Sequence, residues 1–126
     1  MSFDVIAATC AALRKGLGVP SSSAVPATRP KRFTTVERTG GGYSRGKDEP
    51  NIAVQVWAET ETEAYTLALM AREVLINMRE TCPNVCSCSV GGIYAFPDPD
   101  SGSSRYQLDF YAVTRQYRGG FSLRKE

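Results

Sequence analysis

The sequence predicts an α+β fold in one domain: a roughly four-stranded sheet, mixed or antiparallel, with two helices on one face. Two observations carry that expectation. Apolar residues recur at helical spacing in only two segments, one near the N-terminus and one in the middle. Each of these segments is followed by two strand-like runs, giving the order α-β-β-α-β-β. Sequential strands with segregated helices make a two-layer sandwich. A chain of 126 residues, 42% of them hydrophobic, is the size of one domain with a modest core. The domain is expected over residues 1–115, and 116–126 as a flexible tail rich in glycine and charge.

Ser2 to Lys15 reads as the first helix. Ser2 is placed to cap it, Asp4 complements its positive end, Arg14 and Lys15 its negative end, and Gly16 is placed to stop it. Phe3, Ile6, Cys10 and Leu13 form its apolar stripe. Leu17 to Arg32 carries Pro20, Pro26 and Pro30 and cannot be a regular central element, so Ala24-Val25 is at most a very short edge strand. Phe33 to Arg38 alternates and is rich in β-branched residues, as a half-buried strand is. Thr39 to Pro50 then reads as a twelve-residue glycine-rich loop. Gly41 to Lys47 has the spacing of a phosphate-binding loop, but Asp48 replaces the hydroxyl residue and a strand follows where a helix is needed.

Asn51 to Ala58 is the clearest strand, with Ile52, Val54, Val56 and Ala58 on one face and Ala53, Gln55 and Trp57 on the other. Thr60 and Glu63 form a capping box for a second helix running to Glu80 or Thr81. Its core stripe is Ala64, Leu67, Ala68, Ala71, Val74, Leu75 and Met78; Tyr65, Leu69 and Ile76 lie beside it and Met70 on the other flank. A helix apolar over so much of its circumference needs cover on more than one side, from the N-terminal helix or from another subunit. Val85 to Phe96 is a strand bent at Gly91-Gly92, residues 97–102 are a loop, and Ser104 to Arg115 is the final strand.

The chemistry on offer is sparse. No histidine is present, which removes the commonest general base and metal ligand. No pair of carboxylates is fixed on one rigid element, so no enzyme and no cofactor are expected. Cys82, Cys86 and Cys88 have C-x3-C and C-x-C spacings with no second pair to complete a zinc site, and read as structural thiols. Asp98, Asp100, Ser101 and Ser103 lack the twelfth-position carboxylate of a calcium loop. The acidic Asp4 where a basic n-region would stand argues against a secretion signal, and no apolar run is long enough to span a bilayer. A net charge of +2 gives no global signal for nucleic acid.

One arrangement is more specific. Val36-Glu37-Arg38-Thr39-Gly40-Gly41, then Asp48-Glu49-Pro50-Asn51-Ile52 and Val54-Gln55-Val56-Trp57-Ala58, run into the capped helix at Glu59 and Thr60. Phe96-Pro97-Asp98-Pro99-Asp100 and Arg105-Tyr106-Gln107-Leu108 follow. In that order, over roughly residues 25 to 115, the chain resembles the tail terminator proteins of long-tailed bacteriophages and prophages.

The resemblance implies a structural virion protein of the tail and neck, assembled in the bacterial cytoplasm. Such proteins form a ring, typically a hexamer, that caps the tail tube and meets the head-side connector. The implied partners are further copies of the chain, the tail tube protein and the head-completion or connector protein, with DNA only as passing cargo and no membrane. On that reading Tyr43, Arg45, Lys47, Trp57, Tyr65, Leu69, Ile76, Asp98 and Asp100 are candidates for subunit or tube contacts. Another head–tail joining or tail completion protein is the nearest alternative. A small nucleic-acid-binding module is a third reading, with Arg29, Lys31, Arg32, Arg45 and Lys47 on phosphates and Tyr43 or Trp57 stacking on bases.

Overall fold

In this computed structural model, which describes residues 3–116, the first helix opens later than its sequence suggests. Helix α1 (Val5–Leu17) is capped by Asp4, whose carboxylate accepts from the Ala7 amide at 3.1 Å. Ser2, the expected cap, lies outside the described residues, as do residues 117–126 of the expected tail. The helix ends at Gly18, left-handed at φ 70°, whose amide donates to the Arg14 carbonyl. Gly16 is instead a packing position: Val74 of the second helix lies so close that any side chain at 16 would collide with it.

Five strands, one more than expected, form a single sheet in the order β1-β2-β3-β5-β4. They are β1 (Ser21–Ser22), β2 (Phe33–Ser44), β3 (Lys47–Ala58), β4 (Val85–Ala95) and β5 (Ser104–Arg115). The short strand is Ser21–Ser22 and not Ala24-Val25, and it pairs parallel with Thr34 and Thr35. All other pairs are antiparallel, so the sheet is mixed.

The largest departure is the Thr39–Pro50 segment, which is no loop. β2 and β3 continue as one long hairpin to a two-residue turn at Arg45-Gly46, with Ser44 opposite Lys47. Both turn residues have positive φ (56° and 80°), the geometry that matches hairpin twist. Glycine-rich composition concealed the ladder, but two positions explain it. Thr39 is the extra residue of a bulge between Arg38 and Gly40. Gly41, at φ 105°, sits opposite Pro50, where a Cβ would strike the Glu49 carbonyl. Pro50 is tolerated because the β3–β5 ladder lapses between Asp48 and Asn51. Arg38 braces the arm: its guanidinium holds both Asp48 oxygens, at 2.6 and 2.9 Å, and the Gly40 carbonyl at 2.9 Å.

Helix α2 (Glu61–Ile76) begins at the expected cap, with Thr60 Oγ1 accepting from the Glu63 amide at 3.2 Å, which is one half of the expected capping box. It stops at Ile76; Asn77 breaks it and a single turn, α3 (Met78–Thr81), follows. Ala64, Ala68 and Ala71 are fully buried, and this small-residue stripe lets α2 lie against Val54, Leu108 and Phe110. α1 covers the flank at Val74, so the N-terminal helix supplies one of the two covers that α2 needs. Among the described residues the sheet's other face carries no helix.

Two substitutions test this packing. Ala68→Leu has no space to enter and is expected to cost about 1–3 kcal/mol in urea unfolding. Arg38→Ala removes a two-pronged clasp on a partly buried carboxylate and is expected to cost about 1 kcal/mol. Its larger effect should be faster amide exchange confined to the outer part of the β2–β3 hairpin.

Candidate functional site

The residues singled out in the sequence fall into three places. Trp57 and Asp98 lie at the end of the sheet where β2 begins. Tyr43, Arg45 and Lys47 lie at the opposite end, at the tip of the arm. Eleven residue steps along β2 separate the two ends, roughly 35 Å of extended strand. Tyr65, Leu69 and Ile76 form a flank of α2. No single pocket gathers them.

Trp57 is 2% exposed. Its ring stacks on Phe33 at 5.1 Å, and the guanidinium groups of Arg29 and Arg105 lie 4.9 and 4.6 Å from its centre. Arg105 also sits 4.2 Å from the centre of the Phe96 ring and donates to the Phe96 carbonyl at 2.6 Å. In the monomer, then, Trp57 is a brace for the turn beside it, and its ring is already occupied where base stacking would need it.

Asp98 is buried in the same knot. Its carboxylate accepts from Ser101 Oγ at 2.5 Å, the Asp100 amide at 3.1 Å and Arg29 at 3.2 Å. These donors, Ser101 foremost, hold its carboxyl below the usual carboxylate range, against the opposing effect of burial. Asp100 stays exposed. Sequence reasoning missed Arg105 and Phe96; alternation along β5 puts Arg105 on the same face as Gln107, opposite Trp57.

A polar row crosses the helix-free face. Gln55 donates to Gln107 at 3.1 Å, and Gln107 donates to the Tyr94 hydroxyl at 2.7 Å. Tyr94 in turn donates to Asp109 at 3.3 Å. Burial, with the Asp109 charge second, pushes the Tyr94 phenol up, so it remains a neutral donor. These groups satisfy one another within the sheet. Beside them Glu49, Asn51, Ser87, Ser89, Tyr111 and Val113 line a shallow groove of about 350 Å³.

At the arm tip Tyr43 is 62% exposed, and Arg45 forms the turn. On α2, Tyr65 and Ile76 are 46% and 43% exposed and Leu69 is half-buried. The cysteines are free thiols. Cys86 is the extra residue of a β4 bulge between Val85 and Ser87, so it does not simply share a face with Cys88. The Cys88 thiol, pushed up by burial, lies 3.5 Å from the Leu75 and Ile76 carbonyls and ties β4 to the end of α2. Among the described residues no helix is long and apolar enough to cross a membrane.

No protein-family model and no curated protein matches the chain. Its fold is similar to that of a chain in a solved structure of the virion of a native gene transfer agent particle. The TM-score is 0.60 at 13% identity, over 83% of this chain and 84% of the other. At that identity the likeness is one of fold.

The Asp98 knot has a pH signature. A carboxyl lowered by folding stabilises above its unfolded pKa of about 3.9, and that contribution is lost as pH falls through the folded value. Asp98→Asn is therefore expected to melt below the wild type at pH 7, with the gap closing in melts taken progressively below pH 4.

Proposed function

We propose that the chain is a structural protein of a phage-like virion, and that it acts as a tail terminator: copies close into a ring, typically a hexamer in the family it resembles, at the end of the tail tube and meet the head-side connector. One observation carries the virion reading, the fold shared with a gene transfer agent virion chain over more than four-fifths of both chains. The finer role rests on the resemblance of residues 25 to 115 to the terminator family. It is supported by what the fold leaves uncovered, since a projecting arm, a bare sheet face and an apolar helix flank are surfaces for assembly and not for catalysis. On this reading the chain is no enzyme and takes no cofactor. Its partners are other copies, the tube protein and the connector, while DNA only passes through. A different head–tail joining role uses the same surfaces and differs in where the protein sits.

The experiment is negative-stain imaging of the purified chain at high concentration, alone and with tail tubes from its own particle. Rings, or density capping the tube ends, are expected. Binding along the sides of tubes, or bare tube ends at saturating protein, would contradict the terminator role.

A further inference from the structure

The sheet ends in two free margins. Among the described residues β4 pairs only with β5, and its outer side is open along eleven residues. Those residues, Val85 to Ala95, include no charge and no proline, the devices that commonly keep an edge from pairing. The Gly91-Gly92 bulge bends the strand without adding charge. At the other margin β1 covers β2 only at Thr34 and Thr35, which leaves the outer side of β2 open from Val36 to Ser44. Rows of unpaired amides and carbonyls are templates for another strand.

An apolar shelf runs beside the β4 edge. Cys88 lies against the Ile76 carbonyl, and the Tyr65 ring is 5.4 Å from Tyr106, whose partner on β4 is Ala95. The α2 flank from Tyr65 through Leu69 to Ile76 therefore follows β4 along its length, on the side away from α1. Val90 and Ile93 of β4 are half-buried against the core next to it.

Strand direction selects what fits there. β2 and β5 run one way, β3 and β4 the other. A second copy set beside the first, helices on the same side, brings its β2 against β4 in the antiparallel sense and continues the alternation. Tyr43 is the partner of Asp48, and Asp48 is the partner of Thr114, which alternates with buried Ala112 and Phe110 on the helix side. The second copy's Tyr43 thus arrives on the helix side, over the shelf.

We infer that the outer edge of the arm, Val36 to Ser44, pairs with β4 of the neighbouring copy and seats Tyr43 on the Tyr65–Leu69–Ile76 flank. The contact joins two different surfaces, so repetition closes a ring or grows a filament. This inference rests on the ring reading and names its interface.

The test places a photo-crosslinking benzophenone at the arm tip (Tyr43→p-benzoylphenylalanine) in the full chain. Light and ¹⁵N-labelled chains are mixed, assembled and irradiated. Mass spectrometry should find mixed-isotope crosslinks from position 43 to peptides spanning 65–76 or 85–95. Assembled particles whose mixed crosslinks land elsewhere would overturn this interface and leave the ring standing. Failure to assemble, alone or on tube ends, would overturn the ring reading itself. In parallel, Tyr43→Asp and Ile76→Lys are both at exposed positions and should each weaken self-association roughly tenfold with unchanged melting. Unaltered association in both would also overturn the interface.

Discussion

The close seating of α2 on the middle of the sheet is the constraint from which the rest follows. Ala64, Ala68 and Ala71 bring the helix down onto Val54, Leu108 and Phe110, and Gly16 lets α1 lie against its flank. Helices of 13 and 16 residues cover roughly 20 and 24 Å, whereas twelve-residue strands span nearly 40 Å. The β2–β3 hairpin must therefore outrun its helix layer. With the helices on one face, the opposite face and the outer flank of α2 beside β4 are bare among the described residues.

The exposed parts of such a scaffold need internal bracing, and each end has its own. At the arm, the Arg38–Asp48 clasp and the Gly41–Pro50 close approach fix a hairpin that has little core beneath it. At the far end, Phe33, Arg29 and Arg105 gather on Trp57, and Asp98 anchors the turn before β5. The polar row from Gln55 to Asp109 stiffens the bare face between them without hydrophobic cover.

Periodic segments were legible in the sequence. The Asn51–Ala58 alternation, the Thr60 cap, the Gly91-Gly92 bulge and the limits of the last strand all stand as the residues suggest. What was hidden depended on partners distant in the chain. The arm looked like a loop because glycine lowers strand propensity, and only pairing across Arg45-Gly46 restores it. Gly18 and not Gly16 ends the first helix because Gly16 is taken up by the close approach of Val74, a contact distant in the chain. Of the candidate contact residues, the exposed flank of α2 could be read from helical periodicity. The burial of Trp57 could not, since Phe33, Arg29 and Arg105 reach it from far away in sequence, and Asp98 meets the same Arg29. The β4 edge escaped notice because strand order is not written in any local pattern.

The central claim is that the chain's open strand edges are completed by another copy of itself. Hydrogen exchange measured by mass spectrometry, on the dilute chain and on the assembled or tube-bound form, tests it most directly. Peptides covering Val36–Ser44 and Val85–Ala95 should exchange quickly in the dilute chain and slow together on assembly, while β3 and β5 stay protected throughout. Assembly that leaves both edges exchanging at their dilute-state rates would contradict the account.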